Sequence, residues 1–419
     1  MKPKLFSTIR DYDAGLFRGD LLAGITVALV AIPLSLAIAI ASGADPAAGL
    51  VTAIVGGFLI SLLGGSRVQI GGPTGAFIVV VYGVIAQHGY DGLVLATLMA
   101  GAILVLAGVL RAGNLIELVP EPVVNGFTIG IAVIIGSSQL KDFLGLKVAS
   151  LPAEFVLKIE ALWGARATMD PLALATGLCS LLLIVVLRRA LPRWPGLILA
   201  MALVSGAVAL LHLPIDSIGS RYGALPSHLP VPSLPNISLD KMRELLPSAL
   251  VIAFLAAIES LLSAMVADRM IAGTHRPNAE VIAQGWANIG SALFGGLPAT
   301  GAIARTATNV RAGGKTPVAG LIHALVILGV MLAAAPLAGY LAMPALAAIL
   351  LTTAWNMSEP HKWEEYWAAP VSDRVLLVLT MVLTVLADLT TAIGVGVALG
   401  LALRLRDKGL PAQWSGRDR

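Results

Sequence analysis

Apolar runs, separated by short polar stretches or by glycine and proline, follow one another along nearly the whole chain. A helix needs about 20 apolar residues to cross a hydrocarbon layer of about 30 Å. The pattern therefore predicts an all-α membrane protein with fourteen transmembrane segments. The first seven are 20–41, 49–64, 73–87, 92–110, 122–140, 172–188 and 195–212, and the second seven are 246–267, 278–294, 299–310, 317–338, 342–355, 373–387 and 389–404.

Two of these segments, 73–87 and 299–310, are too short to cross the hydrocarbon layer as helices. Each begins next to a cluster of glycine and proline, at 71–73 (GGP) and 295–298 (GGLP). Residues 67–70 (RVQI) alternate between polar and apolar, as a short strand does. Extended backbone at membrane depth is tolerated only inside protein or beside a cavity. The pattern therefore predicts two half-helices, each preceded by a short strand.

The composition agrees with a protein surrounded by lipid. Apolar residues make up 57% of the chain and charged residues 12%, whereas soluble domains have about 45–50% and about 25%. Apart from Arg305, the lysine and arginine residues lie between the apolar runs or at their ends and form no basic face, so the net charge of +4 does not indicate nucleic-acid binding. The bilayer is the expected partner, and nucleic acid is not.

The chain lacks the short motifs of intramembrane enzymes and metal sites. Neither His-Glu-x-x-His nor Gly-x-Ser-x-Gly occurs, and no histidine or cysteine pair has the spacing of a zinc site. Residues 313–316 (GGKT) imitate the end of a phosphate-binding loop, but Asn309 stands where that motif needs a glycine. The sequence therefore predicts neither an enzyme nor a cofactor or metal site.

Basic residues predict the orientation of the chain in the membrane. An even number of spans puts both termini on one side, and that side carries twenty lysines and arginines. The opposite side carries seven, all in two long loops near 141–171 and 213–245. Because basic residues collect on the cytoplasmic side, we expect both termini in the cytoplasm. The predicted location is the plasma membrane, which in a bacterium is the inner membrane.

An internal repeat divides the chain into two halves. The triplet Thr-Gly-Ala occurs at 74–76 and at 300–302, 226 residues apart, and adding 226 to Asp20 gives Leu246, where the eighth segment begins. Seven segments per half is an odd number, so the second half is inserted upside-down, as in secondary transporters. The expected divisions are a cytoplasmic N-terminal segment 1–19, a first repeat 20–212, an extracytoplasmic loop 213–245, a second repeat 246–404 and a cytoplasmic tail 405–419.

Short interrupted segments of such transporters mark a substrate site near the membrane midplane. The N-termini of two half-helices present free N–H groups and positive dipole ends, which favour an anion. Ordinary helix-breaking turns are the alternative interpretation of both clusters. We predict that the substrate contacts backbone N–H groups of residues 74–76 and 301–303, with Thr74 also offering a hydroxyl.

These segments resemble the sulfate-permease (SulP) family, known in animals as solute-carrier family 26. The matching stretches are 24–41 (GITVALVAIPLSLAIAIA), 65–77 (GSRVQIGGPTGAF), 120–135 (PEPVVNGFTIGIAVII), 257–267 and 296–320 (GLPATGAIARTATNVRAGGKTPVAG). The resemblance implies seven plus seven inverted helices in a core and a gate domain, transport of anions such as sulfate, bicarbonate, chloride or carboxylates, and a homodimer. Members usually carry a C-terminal STAS domain, which the tail 405–419 is expected to lack.

Two positions depart from the family pattern. Many relatives have a glutamine after the first-helix proline, whereas Leu34 follows Pro33, and Ala302 and Ala304 partly replace hydroxylic residues. Both changes remove side-chain donors, so the identity of the anion stays open. A nucleobase permease, which resembles this family in fold, usually binds its base through carboxylates from two helices, and only Glu259 is available here. A channel and an exchanger also stay open.

Ten residues are predicted to bind the substrate and two to couple transport to a second ion. The substrate-binding residues are Pro33, Leu34, Ile38, Thr74, Gly75, Ala76, Gly301, Ala302, Ile303 and Arg305, and the coupling residues are Glu259 and Ser263. A charge at the bilayer centre costs about 2.5–3.5 kcal/mol, so Arg305 is expected to be functional. The resemblance implies that it adds positive potential behind the anion. The alternative is an arginine that extends towards Arg311 and the cytoplasmic surface.

Glu259 is predicted to couple transport to protons. The 226-residue offset makes it the counterpart of Pro33, and Ser263 follows one turn later on the same helix face. A protonated Glu259 would offset the repulsion of an entering anion. Sodium is the alternative, because the resemblance implies a cation site at this carboxylate and hydroxyl in sodium-coupled relatives. A structural carboxyl, hydrogen-bonded within the core, is the third interpretation.

Together these features predict a secondary active transporter of small anions of the sulfate, bicarbonate or dicarboxylate class. The expected mechanism is proton-coupled symport by alternating access. Sodium-coupled symport, anion exchange and a channel remain as alternatives, with a nucleobase permease after them.

Overall fold

The structure, a computed structural model, describes residues 2–116, 120–148, 151–191, 195–387 and 389–408. Its regular structure is almost entirely helical, as the apolar pattern predicts. Among the described residues, seven helical stretches are long and apolar enough to cross a membrane. These are Ala14–Ala41, Pro46–Leu63, Gly75–Val109, Glu121–Phe143, Pro171–Ala190, Leu239–Ile271 and Val318–Ala338. Helices also occupy the remaining predicted segments.

The helices of the first half are α1 (Leu5–Thr8), α2 (Ala14–Ala41), α3 (Pro46–Val51), α4 (Gly57–Leu63), α5 (Ile78–Val109), α6 (Gly113–Ile116), α7 (Glu121–Phe143), α8 (Phe155–Gly164), α9 (Pro171–Ala190) and α10 (Gly196–Leu210). Those of the second half are α11 (Ile218–Tyr222), α12 (Leu239–Ile271), α13 (Pro277–Leu293), α14 (Ile303–Arg311), α15 (Val318–Ala338), α16 (Met343–Met357), α17 (Trp363–Ala368), α18 (Val371–Leu386) and α19 (Leu389–Lys408). A π-helical turn, Thr52–Gly56, joins α3 to α4, and 3-10 turns cover Ile9–Asp11, Gly75–Phe77, Arg166–Thr168 and Pro360–Lys362.

Two long helices begin several residues before the apolar runs that predict them. The first, α2, begins at Ala14 and not at residue 20, because the Asp13 carboxylate accepts a first-turn backbone N–H at 2.7 Å. The second, α12, begins at Leu239 and not at 246, capped in the same way by the Ser238 hydroxyl. Such caps stabilise a helix end in polar sequence. The predicted loop 213–245 is correspondingly shorter and contains α11.

Segments 73–87 and 92–110 form one long helical stretch, interrupted at a single residue. Gly89 has φ +69° and ψ −178° inside α5, a conformation that residues with a side chain rarely adopt. The helix therefore changes direction at Gly89 without a loop. Residues 75–88 are the first half-helix, and residues 90–109 form the next segment.

The strand predicted at 67–70 is wrong in position. The two strands are β1 (Gly71–Gly72) and β2 (Thr300–Gly301), which pair antiparallel with Gly71 opposite Gly301. Side chains bind part of the backbone of residues 67–70 instead: Val68 C=O accepts the Asn309 amide at 2.8 Å, and Ile70 N–H donates to the Thr306 hydroxyl at 3.1 Å. Strand pairing needs glycine at this place, since a methyl group at Gly71 would lie 2.2 Å from Ile60 Cδ1.

The long helices pack into two groups. The first group contains α2, α4, α5, α12, α13, α14 and α15, and the second group contains α7, α9, α10, α16, α18 and α19. Within each group neighbouring helices contact along most of their length, whereas contacts between groups are few, mainly those of α2 with α16 and α10. The first group therefore combines segments 1–4 with 8–11, and the second combines 5–7 with 12–14.

Candidate functional site

The pairing of β1 with β2 brings the starts of the two half-helices together. Each strand is followed within three residues by helical structure, at Gly75 and at Ile303. Because the two strands are antiparallel neighbours, residues 73–76 and 302–305 flank one two-residue ladder. The first N–H groups of a helix have no partner within it. The fold thus places two sets of amino-terminal N–H groups around the same point.

Thr74, Gly75 and Ala76 lie at this ladder and touch the second group of helices. The Thr74 hydroxyl is buried and has no hydrogen-bond partner among the described residues. A methyl group at Gly75 would lie 3.1 Å from Met357 Sδ and 3.4 Å from Ile135 Cδ1. Since these two side chains belong to α16 and α7, the first half-helix begins at the contact between the two groups.

The predicted residues of the second half-helix have three different environments. Gly301 is buried against Gln69, and the Ala302 N–H donates to Ile70 C=O at 2.9 Å, so this amide is already used. Ile303 is 36% exposed. The first-turn amides of α14 that follow Ala302 are therefore better placed for an anion than Ala302 itself.

On α2, the residue that reaches the site is one that the sequence did not indicate. Pro33 and Ile38 are buried, and Leu34 is partly buried in the apolar core. Ser35, fully buried, accepts a hydrogen bond from Arg305 Nη2 at 3.2 Å. Its signal in the sequence was only a hydroxyl in an apolar run, next to Pro33 and Leu34.

Arg305 points into the protein and not towards Arg311 and the surface. Its side chain is 2% exposed, and Nη2 also donates to Pro73 C=O at 3.0 Å. Nε and Nη1 have no acceptor among the described residues. A methyl group at Gly72 would lie 2.4 Å from Nη1, so the guanidinium lies directly against β1. A positive charge without a carboxylate partner in the described part of the chain therefore stands beside the first half-helix.

Glu259 and Ser263 lie on the same helix but do not meet. Glu259 is partly exposed to a narrow apolar cavity between α7 and α12, and its carboxylate has no partner among the described residues. The Ser263 hydroxyl is buried 3.1 Å from Thr306 Oγ1, which accepts the Ile70 N–H at 3.1 Å. Ser263 thus joins α12 to α14 through a hydrogen bond between two hydroxyl groups. Thr306 is a second residue that the sequence did not single out.

Most of the chain matches one protein family. Residues 17–380 match the model described as "Sulfate permease family". The chain belongs to the sulfate permease family. The resemblance read from the sequence is confirmed, and so is the prediction that the protein is not an enzyme, because this family consists of transporters.

Individual relatives agree with this family. The chain is 44% identical to "Putative sulfate transporter YvdB" of Bacillus subtilis (strain 168), over 95% of this chain and 75% of the other. It is 34% identical to "Bicarbonate transporter BicA" of Synechocystis sp. (strain ATCC 27184 / PCC 6803 / Kazusa), over 93% of this chain and 70% of the other. The transmembrane domain of a cyanobacterium bicarbonate transporter BicA has a similar structure, with a TM-score of 0.82, 31% identity and coverage of 91% and 98%. The permease is therefore a multi-pass membrane transporter of an anion-transporting family.

Proposed function

We propose that this permease is a secondary active transporter of a small anion of the sulfate, bicarbonate or dicarboxylate class. The observation that supports this most is Arg305. It is a buried cation with two unused donors, beside a ladder at which two half-helices begin. Positive helix ends and an unneutralised guanidinium together attract a negative ligand. A neutral nucleobase gains little from such a field.

We also propose that the fourteen segments are two inverted repeats. The first group of helices combines segments 1–4 with segments 8–11, so each half contributes its first four segments to the same group. This arrangement supports two equivalent halves that pack together. In this proposal the first group is the core domain, which carries the anion, and the second group is the gate domain. The excess of basic residues on one side supports cytoplasmic termini. The family resemblance supports a homodimer. The proposed location is the inner membrane of a bacterium.

Glu259 is proposed to carry the coupling proton. Its free carboxylate lines the cavity between α12 of the core and α7 of the gate. Rocking of one domain against the other therefore changes the surroundings of this carboxylate. Among the described residues, no three His, Cys, Asp or Glu side chains come together, so a sodium ion would need oxygens from the backbone and hydroxyl groups. We therefore prefer H⁺ over Na⁺.

The proposal is tested by uptake into proteoliposomes. Radiolabelled sulfate, bicarbonate, chloride, a C4-dicarboxylate and uracil are each offered with an inward proton gradient, an inward sodium gradient or no gradient. We expect accumulation of one anion class only under the proton gradient. Accumulation that depends on the sodium gradient would make Na⁺ the coupling ion in place of H⁺. Uptake that depends on anion inside the vesicles would indicate exchange. Flux that never carries the anion beyond its equilibrium distribution would indicate a channel. Uptake of uracil alone would reject anion transport.

A further inference from the structure

One face of α13 is polar and completely buried. Glu280, Gln284, Asn288 and Ser291 follow at intervals of four, four and three residues, and all four are 0% exposed. This spacing places them in one row along the helix. A row of buried polar groups in a membrane helix is costly unless each finds a partner.

The Glu280 carboxylate holds the segment that leads into β1. Its Oε2 accepts the backbone N–H groups of Gly65 at 2.8 Å and Ser66 at 3.1 Å. Its Oε1 accepts two side-chain amides, Gln69 Nε2 at 3.0 Å and Gln284 Nε2 at 2.7 Å. Both oxygens are thus surrounded by donors.

Asn288 and Ser291 hold the segment that leads into β2. The Asn288 amide accepts Ala299 N–H at 3.0 Å and donates to Ala299 C=O at 2.8 Å. The Ser291 hydroxyl donates to Leu297 C=O at 2.6 Å. One helix therefore provides hydrogen-bond partners for the irregular backbone on both sides of the ladder, as non-helical backbone inside a membrane protein requires.

Gln69 connects the two sides. Its Nε2 donates to Glu280, and the position that a methyl group at Gly301 would take lies only 1.8 Å from that same nitrogen. Between them, Ile70 C=O accepts the Ala302 N–H at 2.9 Å. Any displacement of the Gln69 side chain would therefore also displace β2 and the first turn of α14, because both contact this segment.

We propose that Glu280 and Gln69 are positioning residues of the anion site. They fix β2 and the first turn of α14 relative to β1, and so set the distance between the two sets of half-helix N–H groups. This inference rests on the proposed function, since it concerns the site of that anion. Neither side chain contacts the anion.

Two buried glutamines offer a matched comparison. Gln69 and Gln284 donate to the same oxygen of Glu280, but only Gln69 lies on the segment that contacts Gly301. Leucine has a similar volume and cannot donate. We expect Gln69→Leu to raise KM for the transported anion about tenfold, less than the roughly hundredfold that a misplacement of about 1 Å can cost, because the backbone bonds of the ladder remain. The maximal rate should change less, and Gln284→Leu should leave KM within about twofold of the unmodified protein.

A double variant separates positioning from general loss of stability. Gly301→Ala puts a methyl group on Gln69 Nε2 and should raise KM. Because Gly301→Ala and Gln69→Leu disturb the same contact, their effects should not add, and the double variant should raise KM little beyond the larger single change. Equal KM changes for Gln69→Leu and Gln284→Leu, or fully additive changes in the double variant, would overturn the proposal. Thermal unfolding in detergent checks that all variants are folded.

Amide hydrogen exchange provides a measurement that does not depend on transport. In Gln69→Leu, the amides of 300–306 should exchange faster than in the unmodified protein, whereas Gln284→Leu should leave them unchanged. If the unmodified protein transports no anion but this difference is found, the proposed function fails and the positioning role stands. If transport is found and both variants exchange alike, the positioning role fails alone.

Discussion

At the scale of single residues, Arg305 is held in place by one nitrogen and has two further nitrogens that can donate hydrogen bonds to a ligand. One nitrogen, Nη2, is fixed by Pro73 C=O and the Ser35 hydroxyl, while Nε and Nη1 have no acceptor among the described residues. Buried donors without partners are costly, so they usually bind water or a ligand. The side chain thus contributes mainly a positive field and two free donors. A lysine can supply the field but not the arrangement of donors.

Arg305→Ala should therefore raise the dissociation constant of the transported anion tenfold or more, a loss of roughly 1.4 kcal/mol. Arg305→Lys should retain more of the affinity, because its charge remains. Arg311→Ala is the matched control, since Arg311 ends the same helix and is exposed. Binding is measured with radiolabelled anion on purified protein. Unchanged affinity in folded Arg305→Ala protein would contradict the role of this charge.

Glu259→Gln should abolish the response of uptake to pH. If Glu259 carries the proton as proposed, lower external pH should increase uptake by the unmodified protein. Glutamine imitates the protonated acid permanently, so anion binding should persist while accumulation under a proton gradient is lost. Glu244→Gln is the control, because Glu244 lies on the same helix with a 63% exposed side chain. A Glu259→Gln protein that still accumulates anion in response to pH would exclude Glu259 as the proton carrier.

At the scale of elements, a buried carboxylate joins α2 to the loop before α15. Asp20 is 0% exposed and accepts the backbone N–H groups of Lys315 at 2.8 Å and Thr316 at 3.1 Å, the Thr316 hydroxyl, and the Tyr12 hydroxyl at 3.1 Å. Burial and the nearby Asp20 carboxylate raise the pKa of Tyr12 to about 12. Residues 313–316, which imitate a phosphate-binding loop, thus bind an internal carboxylate.

Asp20→Ala should lower the free energy of unfolding by about 2–3 kcal/mol, because several buried donors lose their acceptor at once. The effect is measured as a lower midpoint of thermal unfolding in detergent. Asp13→Asn is the control, since asparagine caps a helix as well as aspartate does. The network would be shown to contribute little if both variants unfolded at the same temperature.

The sequence predicted elements better than the contacts between them. Helices occupy the predicted apolar segments, and seven helical stretches among the described residues are long and apolar enough to cross a membrane, because hydrophobic patterning is a local feature. Because Asp13 and Ser238 cap their helices, α2 and α12 begin earlier than the apolar runs predict. The strand predicted at 67–70 begins four residues before β1. Ser35, Gln69 and Thr306 were missed because each bonds to a partner far away in the chain.

At the scale of the whole molecule, the candidate site borders the division between the two groups of helices. Gly75 contacts side chains of α7 and α16, and Glu259 faces α7 across a narrow cavity. The few contacts between the groups allow one to move against the other, whereas the ladder lies wholly within the first group. Transport by movement of rigid groups would therefore leave the anion contacts intact and change only access to them.

The orientation of the whole chain can be tested with its single cysteine replaced. In a Cys179→Ser background, Ser7→Cys and Val231→Cys put one thiol near the N-terminus and one in the loop before α12, where Val231 is 83% exposed. A membrane-impermeant maleimide should label Val231→Cys in intact cells and Ser7→Cys only after the cells are opened, as the distribution of basic residues predicts. The reverse pattern would place the termini outside.

The segment 65–70, which leads into β1, also has a consequence for how the protein is made. Its hydrogen-bond partners lie far ahead in the chain: Glu280 is 215 residues beyond Gly65, and Asn309 is 241 residues beyond Val68. When the ribosome delivers the first half-helix to the insertion machinery, none of these partners exists yet. Bare backbone in lipid costs several kcal/mol per unpaired group. We therefore expect the backbone of residues 65–70 to reach its buried position only after the second half of the chain has been synthesised.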